Sequence, residues 1–351
     1  MKKIKVLIVD DSAVVRDILS RGLSADTNIE VVGAANDVYM ARDMIVQYQP
    51  DVLTLDIEMP RMDGVLFLKK LMPQYPIPTI MVSSLSAPGA KLTLEALQHG
   101  AVDVVLKPSS RLRQDLSAMM EDLCEKVKAA SMTDVSHWKN KTSRQALKKI
   151  SAGYLQQSTD KLLALGASTG GTVALTQLIS ALPSDIPGTL VVQHMPPVFT
   201  HLFAERLNDV SQVEVKEAQD HDTVLQGHVF IAPGGFQMEV VRSGGKYKIR
   251  VFEGEKVNGH APSVDILFNS VATGLGPNAV GAILTGMGRD GAQGLLNMRN
   301  QGAKTLSQDE RTSVIYGMPK EAWLLGASEK QVALQDFPQE IIGAFQRIEK
   351  R

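Results

Sequence analysis

The sequence predicts two doubly wound α/β domains in tandem, and three observations carry that expectation. Short apolar runs alternate with amphipathic helical patterns from residue 5 to about 123, and the alternation resumes at 161. Between the halves the text turns polar and loses its period, as in Ser131-Met-Thr-Asp-Val-Ser-His-Trp-Lys-Asn140. Charged and hydroxyl side chains stand at the carboxyl ends of the apolar runs, where open parallel sheets bind their ligands. The boundaries expected are 1–123, a linker over 124–158, and 159–351; a chain of 351 residues has room for about two cores.

In the first half, strands are expected over 5–10, 30–35, 52–56, 79–83 and 103–106. Helices are expected over 13–23, 39–48, 65–72 and 92–99, with a longer one after Lys107-Pro108. Regular alternation of this kind gives a five-stranded parallel sheet with helices on both faces. Asp10 and Asp11 close the first strand, Asp56 the third, Ser83 the fourth and Lys107 follows the fifth. Neighbouring strands lie about 4.8 Å apart, so these groups converge on one edge. Crowded carboxylates repel one another unless a cation joins them, and hard oxygen ligands favour Mg²⁺.

The runs Val-Asp10-Asp11-Ser, Leu-Asp56-Ile-Glu-Met-Pro60-Arg-Met-Asp-Gly64, Val-Ser83-Ser and Leu-Lys107-Pro108 resemble the receiver domain of bacterial response regulators. The resemblance implies a flavodoxin-like fold in which Asp56 accepts a phosphoryl group from a histidine kinase. It implies that Asp10, Asp11, Asp56 and the backbone carbonyl of Glu58 hold Mg²⁺, and that Ser83 and Lys107 contact the phosphoryl oxygens. Val104 stands where many receivers carry an aromatic switch residue, so an aromatic flip is not implied here.

In the linker, residues 144–149 form a basic, weakly helical patch without interleaved aromatics, read as a solvated face, and Trp138 can pack on either domain. Beyond it, strands are expected over 162–166, 189–194, 212–217, 228–232, 237–242, 247–252 and 279–284. Helices are expected over 171–182, 199–207, 263–273, 293–302, 319–325 and 338–350. Turn signals at Ala232-Pro-Gly-Gly235 and Arg242-Ser-Gly-Gly245 mark an antiparallel excursion within a mainly parallel sheet.

The first of these strands ends in Gly166-Ala-Ser168-Thr-Gly-Gly171, a serine at a strand-to-helix corner with helix-start N–H groups aimed outward. A phosphate loop would need a lysine that is absent, and the glycines lack dinucleotide-fingerprint spacing. One βαβ unit later His194 ends the next strand, and Asp290 lies in a Gly-rich loop after a third. A serine hydroxyl needs a base to take its proton, and the base needs a carboxylate to hold its tautomer. Thr169 and the Gly286-Met287-Gly288 loop are candidates for the oxyanion site. His221, His228 and His260 compete for the base role, and Asp290 beside Arg289 is alternatively half of an ion pair. The order Ser, His, Asp differs from that of α/β-hydrolases.

Gly166-Ala-Ser168-Thr-Gly-Gly171, Val192-Gln-His194-Met-Pro-Pro197, Ala232-Pro-Gly-Gly235, Pro262-Ser-Val-Asp265 and Thr285-Gly-Met-Gly-Arg-Asp290-Gly resemble the chemotaxis protein-glutamate methylesterases. The resemblance implies hydrolysis of glutamate methyl esters on methylated chemoreceptors, with release of methanol, and deamidation of receptor glutamines. It implies Ser168 as nucleophile, His194 as base, Asp290 as orienter, and Thr169 and Met287 near the oxyanion; no cofactor is implied for ester hydrolysis. The phosphodonor would be a chemotaxis histidine kinase.

Composition limits the alternatives. With 37 basic and 38 acidic residues there is no global pull toward nucleic acid, and no helix-turn-helix signal is present. The single Cys124 suits a reducing compartment, and no His/Cys spacing suggests zinc. Only residues 4–9 separate Met1-Lys-Lys from the paired aspartates, too few for a signal-peptide core, and no apolar run is long enough to span a bilayer. A cytoplasmic protein without membrane insertion is expected.

Overall fold

Five apolar runs build the first sheet. The computed structural model describes residues 2–84, 87–107, 113–140, 147, 149–153 and 160–349. Strands β1 (Ile4–Val9), β2 (Ile29–Ala35), β3 (Val52–Asp56), β4 (Thr79–Ser83) and β5 (Asp103–Leu106) pair in parallel in the order β2-β1-β3-β4-β5. Every residue of β3 and β4 is buried, as expected of central strands covered on both faces. Helices α1 (Ala13–Ser24), α2 (Val38–Tyr48), α3 (Gly64–Leu71), α4 (Ala87–Gln98) and α5 (Arg113–Ser131) make the crossovers. Short polar side chains start the first three: Ser12, Asp37 and Asp63 accept from the amides of Val15, Tyr39 with Met40, and Leu66. Helix α5 passes residue 123 and continues to Ser131.

The chain divides into two compact units, Met1–Gln145 and Ala146–Arg351. Trp138 belongs to the first, where its ring lies against Gly100. Pro108 and most of the basic patch at 144–149 lie outside the described residues. Among the described residues no helix is long and apolar enough to cross a membrane.

The second unit contains β6 (Leu162–Ala167), α6 (Gly171–Ala181), β7 (Gly188–Gln193), α7 (Phe199–Val210), β8 (Glu214–Glu217) and β9 (His228–Ile231). There follow β10 (Gln237–Ser243), β11 (Lys246–Phe252), α8 (Val264–Leu275), β12 (Ala279–Ile283) and α9 (Ala292–Asn300). The last elements are β13 (Lys304–Gln308), α10 (Met318–Leu324), β14 (Lys330–Val332) and α11 (Phe337–Glu349). Seven strands pair in parallel in the order β14-β13-β12-β6-β7-β9-β8.

Among the described strands of the second unit, β10 and β11 pair antiparallel as a separate hairpin closed by Gly244 and Gly245. Both glycines have positive φ, as a two-residue hairpin turn of this kind requires. The hairpin packs on α8, where the Val240 amide donates to Ser270 Oγ at 3.0 Å. Strands β13 and β14 were not among the expected elements. Lys304-Thr-Leu-Ser-Gln308 carries one large apolar side chain yet buries Thr305 through Gln308, and β14 is three residues long; neither has an apolar run to betray it.

From β6 the chain proceeds to β7 on one side, and β12 pairs on the other. That reversal opens a crevice at the carboxyl ends of β12, β6 and β7, the usual ligand position in such sheets.

Candidate active site

Ser168 leaves β6 at the crevice, and the turn into α6 depends on glycine. Gly170 has φ +77°, and the Gly171 amide closes the corner on the Ser168 carbonyl at 2.7 Å. The same carbonyl accepts from Gln193 Nε2 at 2.9 Å, so the buried end of β7 also fixes the corner. Gly286 permits the approach from β12: a Cβ there would stand 2.8 Å from Ser168 Cβ and 2.3 Å from Met318 Sδ. The Ser168 amide donates to the Thr285 carbonyl at 3.0 Å.

His194 follows β7, whose register pairs Gln193 with Ala167, and its amide donates to the Ala167 carbonyl. Its ring Nε2 lies 2.8 Å from Asp290 Oδ2, while the buried Nδ1 has no hydrogen-bond partner. Nδ1 is therefore the ring nitrogen left without a partner, and no hydrogen bond joins it to Ser168 in this structure. In Ser-His-Asp triads Nδ1 usually faces the carboxylate, so a triad built on these residues would use the two nitrogens the other way round.

Asp290 is 2% exposed and sits on the start of α8. Its Oδ2 also accepts from the Val264 amide at 2.7 Å. Oδ1 accepts from Ser263 Oγ at 2.8 Å, Asn258 Nδ2 at 2.9 Å and the Asp265 amide at 3.3 Å. Burial pushes the Asp290 carboxyl upward, but the hydrogen bond and charge of His194, then Asn258 and the Val264 amide, more than offset it. The net effect holds it well below the ordinary carboxylate range, so Asp290 remains an anion facing the imidazole.

The alternatives left open by sequence differ in where they stand. Asp290 pairs with His194 and not with Arg289. His221 is an exposed side chain beside Asp220, and His228 opens β9 with its ring on Gln226 and Glu214. His260 reaches the site, stacked on His194 with ring centroids 3.7 Å apart and planes 14° from parallel. Of the oxyanion candidates, the Gly286 amide is committed to the Ile315 carbonyl, while Thr169 is buried next to Ser168. Gln193, Asn258 and Ser263 had no predicted role. Nothing in their spacing marks them, because each acts through contacts distant in the chain.

In the first unit, Lys107 Nζ lies 2.8 Å from both Asp10 Oδ2 and Asp56 Oδ2. Oxygens of Asp10, Asp11 and Asp56 come within 4.8 Å of one another, with Asp10 and Asp56 buried and Asp11 exposed. An all-oxygen set open on one side fits a hard divalent cation. Burial, with a smaller push from Asp10, outweighs Lys107 and the Glu58 amide and raises the Asp56 carboxyl to about 6. Gly64 lets α3 start against this strand end, since a Cβ there would lie 2.0 Å from the Asp56 carbonyl oxygen. Ser83 Oγ donates to the Ser84 carbonyl and lies 3.0 Å from Thr93 Oγ1, and Ser84 Oγ donates to the Glu58 carboxylate at 3.3 Å.

Comparison with known proteins finds a separate family match in each unit. Residues 163–341 match the CheB methylesterase family, and residues 6–121 match the response regulator receiver domain. The chain belongs to the CheB methylesterase family. A protein-glutamate methylesterase/protein-glutamine glutaminase of Syntrophotalea carbinolica is 54% identical over 343 residues, covering 97% of each chain. The protein of the same name from Salmonella typhimurium is 48% identical over 342 residues, again covering 97% of each. The crystal structure of the Thermotoga maritima CheB methylesterase catalytic domain is 35% identical. It covers 53% of this chain and 99% of its own, with a TM-score of 0.52.

Proposed function

We propose that this chain is a phosphorylation-controlled serine esterase of bacterial chemotaxis. It hydrolyses glutamate methyl esters on chemoreceptors to glutamate and methanol, and deamidates receptor glutamines. The observation that carries the reading is the buried His194–Asp290 couple, 2.8 Å between Nε2 and Oδ2, with an unpartnered Nδ1 beside the strand end that bears Ser168.

Ser168 Oγ attacks the ester carbonyl as its proton passes to His194 Nδ1. Asp290 stays ionised and balances the imidazolium. The oxyanion that forms is met by backbone at Thr169 and Met287. Collapse expels methoxide, which leaves as methanol with the proton from His194. Water, deprotonated by the same imidazole, then cleaves the acyl-enzyme and restores the Ser168 hydroxyl. With a glutamine the steps are identical and ammonia is the leaving group.

The switch is the first unit, whose last long helix runs past residue 123 to Ser131, and it is joined through a linker to the catalytic part at 159–351. Asp56 accepts a phosphoryl group from a chemotaxis histidine kinase, and Lys107 and a rotated Ser83 hydroxyl meet its oxygens. Asp10, Asp11, Asp56 and the Glu58 carbonyl would hold Mg²⁺, which neutralises charge on the transferring group. The resting receiver restrains the esterase, and phosphoryl-Asp56 shifts the population toward an open arrangement. The enzyme acts in the cytoplasm, on the cytoplasmic parts of receptors, with no nucleic acid partner and no insertion into the membrane.

Incubation of the full chain with methyl-labelled receptor membranes, Mg²⁺ and a small phosphodonor tests the reading. Labelled methanol should appear and receptor methylation fall in parallel; a folded protein that releases no methanol would refute it.

A further inference from the structure

The stretch between β11 and α8 contributes two side chains to the catalytic couple from one tight turn. The amides and carbonyls of Val257 and His260 bond reciprocally at 3.0 and 2.9 Å, closing a two-residue loop of Asn258 and Gly259. Both loop residues have positive φ, +52° and +84°, and Asn-Gly is the pair that such a turn prefers. The turn is anchored from below by the buried Gln237. Its Nε2 donates to the carbonyls of His260 and Glu255 at 3.1 and 2.9 Å, and its Oε1 accepts from the Ser263 amide at 2.9 Å. A rigid turn held by a buried amide differs from a loop that happens to pass the site.

From this platform Asn258 Nδ2 reaches two carboxylates, Asp265 Oδ2 at 2.8 Å and Asp290 Oδ1 at 2.9 Å. His260 lays its ring flat on His194, centroids 3.7 Å apart. One arm thus fixes the carboxylate that receives Nε2, and the other covers a face of the imidazole. A His ring held only by its Nε2 bond can still swing about χ2, which would carry Nδ1 away from the serine. A parallel plate at van der Waals distance removes that swing.

We propose that the 257–260 turn is a positioning element of the esterase. Asn258 and His260 lock the Asp290–His194 couple in the orientation that presents Nδ1 to Ser168, and neither exchanges a proton with substrate. The inference rests on the esterase reading and extends it to residues that no spacing rule identifies.

The test uses the full-length, phosphodonor-activated protein and methanol release from methylated receptor membranes, with Ser168→Ala run in parallel. His260→Ala and Asn258→Gly each remove one arm; glycine at 258 keeps the positive φ, so the turn survives. Misplacement of a reacting group on this scale costs about tenfold to a hundredfold in kcat. KM should change by less than about twofold, because no substrate contact is lost. His260→Phe restores a flat ring without a proton and should recover kcat to within about threefold of wild type. The low-field proton resonance of the His194 Nε2–Asp290 bond should broaden in His260→Ala and Asn258→Gly and persist in His260→Phe.

A His260→Phe protein as slow as His260→Ala, with the fold intact by circular dichroism, would overturn the proposal, since the imidazole would then act chemically. Unchanged kcat in both single-arm variants would overturn it too. If Ser168→Ala retains activity, the esterase reading itself has failed, an outcome distinct from failure of the positioning role.

Discussion

Replacing Asp290 by asparagine changes one atom in the densest hydrogen-bond node of the site. Every group facing the carboxylate is a donor: His194 and the Val264 amide at Oδ2, Ser263, Asn258 and the Asp265 amide at Oδ1. An amide must turn its NH₂ toward one of these sets. Facing Oδ1's partners, it leaves the buried Asp265 amide without its acceptor, while Asn258 keeps only its bond to Asp265 Oδ2. Facing Oδ2's partners, it forces His194 to accept at Nε2 and carry its proton on Nδ1, where it can no longer take one from Ser168. One buried amide left unpaired costs roughly 1–3 kcal/mol of stability. Loss of the correct tautomer costs about 10²- to 10⁴-fold in kcat, the lower end reflecting cases where the orienting carboxylate contributes less than the nucleophile. Methanol release by Asp290→Asn, after circular dichroism has established that the variant is folded, gives the number. Turnover within about threefold of wild type would refute the argument.

Further expectations concern the switch and the corner. Asp56 is raised to about 6 in the folded receiver against roughly 3.9 unfolded, so between those values the native state holds more protons and stability falls as pH rises. Above pH 6 the cost is complete and on the order of 2–3 kcal/mol. Without divalent cations, Asp56→Asn should therefore melt higher than wild type at pH 7–8, with the gap closing near pH 4. Equal midpoints at pH 8 would contradict it. Gly286→Ala should cut turnover at least about tenfold, because its Cβ would stand 2.8 Å from Ser168 Cβ and move the nucleophile; wild-type kinetics would show that the loop yields instead. A fragment lacking the receiver and the first half of the linker should outpace the unphosphorylated full chain. A folded fragment slower than the resting enzyme would mean that the receiver assists the site and does not restrain it.

Much of this was legible in sequence because parallel α/β architecture advertises itself. Buried strands such as β3 and β6 are largely apolar runs, and the candidate residues stand at their carboxyl ends, Asp56 closing β3 and Ser168 following β6. Asp56 and Ser168 could be placed on sheet edges for that reason, and His194 beside Ser168 because consecutive strands are usually neighbours. The same logic failed for β13, where Thr305, Ser307 and Gln308 are buried and the hydrophobic pattern is silent. It also failed for the residues that hold Asp290. Asn258 lies 32 residues away in sequence and reads as an ordinary Asn-Gly turn until the fold brings its amide to the carboxylate. The exchange of ring nitrogens at His194 was equally illegible, since it depends on the side from which Asp290 approaches.

In the proposed mechanism one hydroxyl, Ser168 Oγ, performs the attack. The most direct measurement is methanol release from methylated receptor membranes by Ser168→Ala, in the full-length protein, beside wild type and with phosphodonor and Mg²⁺ present. A folded variant is expected, still phosphorylated at Asp56, whose release is lower by several orders of magnitude, on the order of 10⁶-fold where the nucleophile is indispensable. Release at a rate comparable to wild type would contradict it and move the chemistry away from the β6 corner.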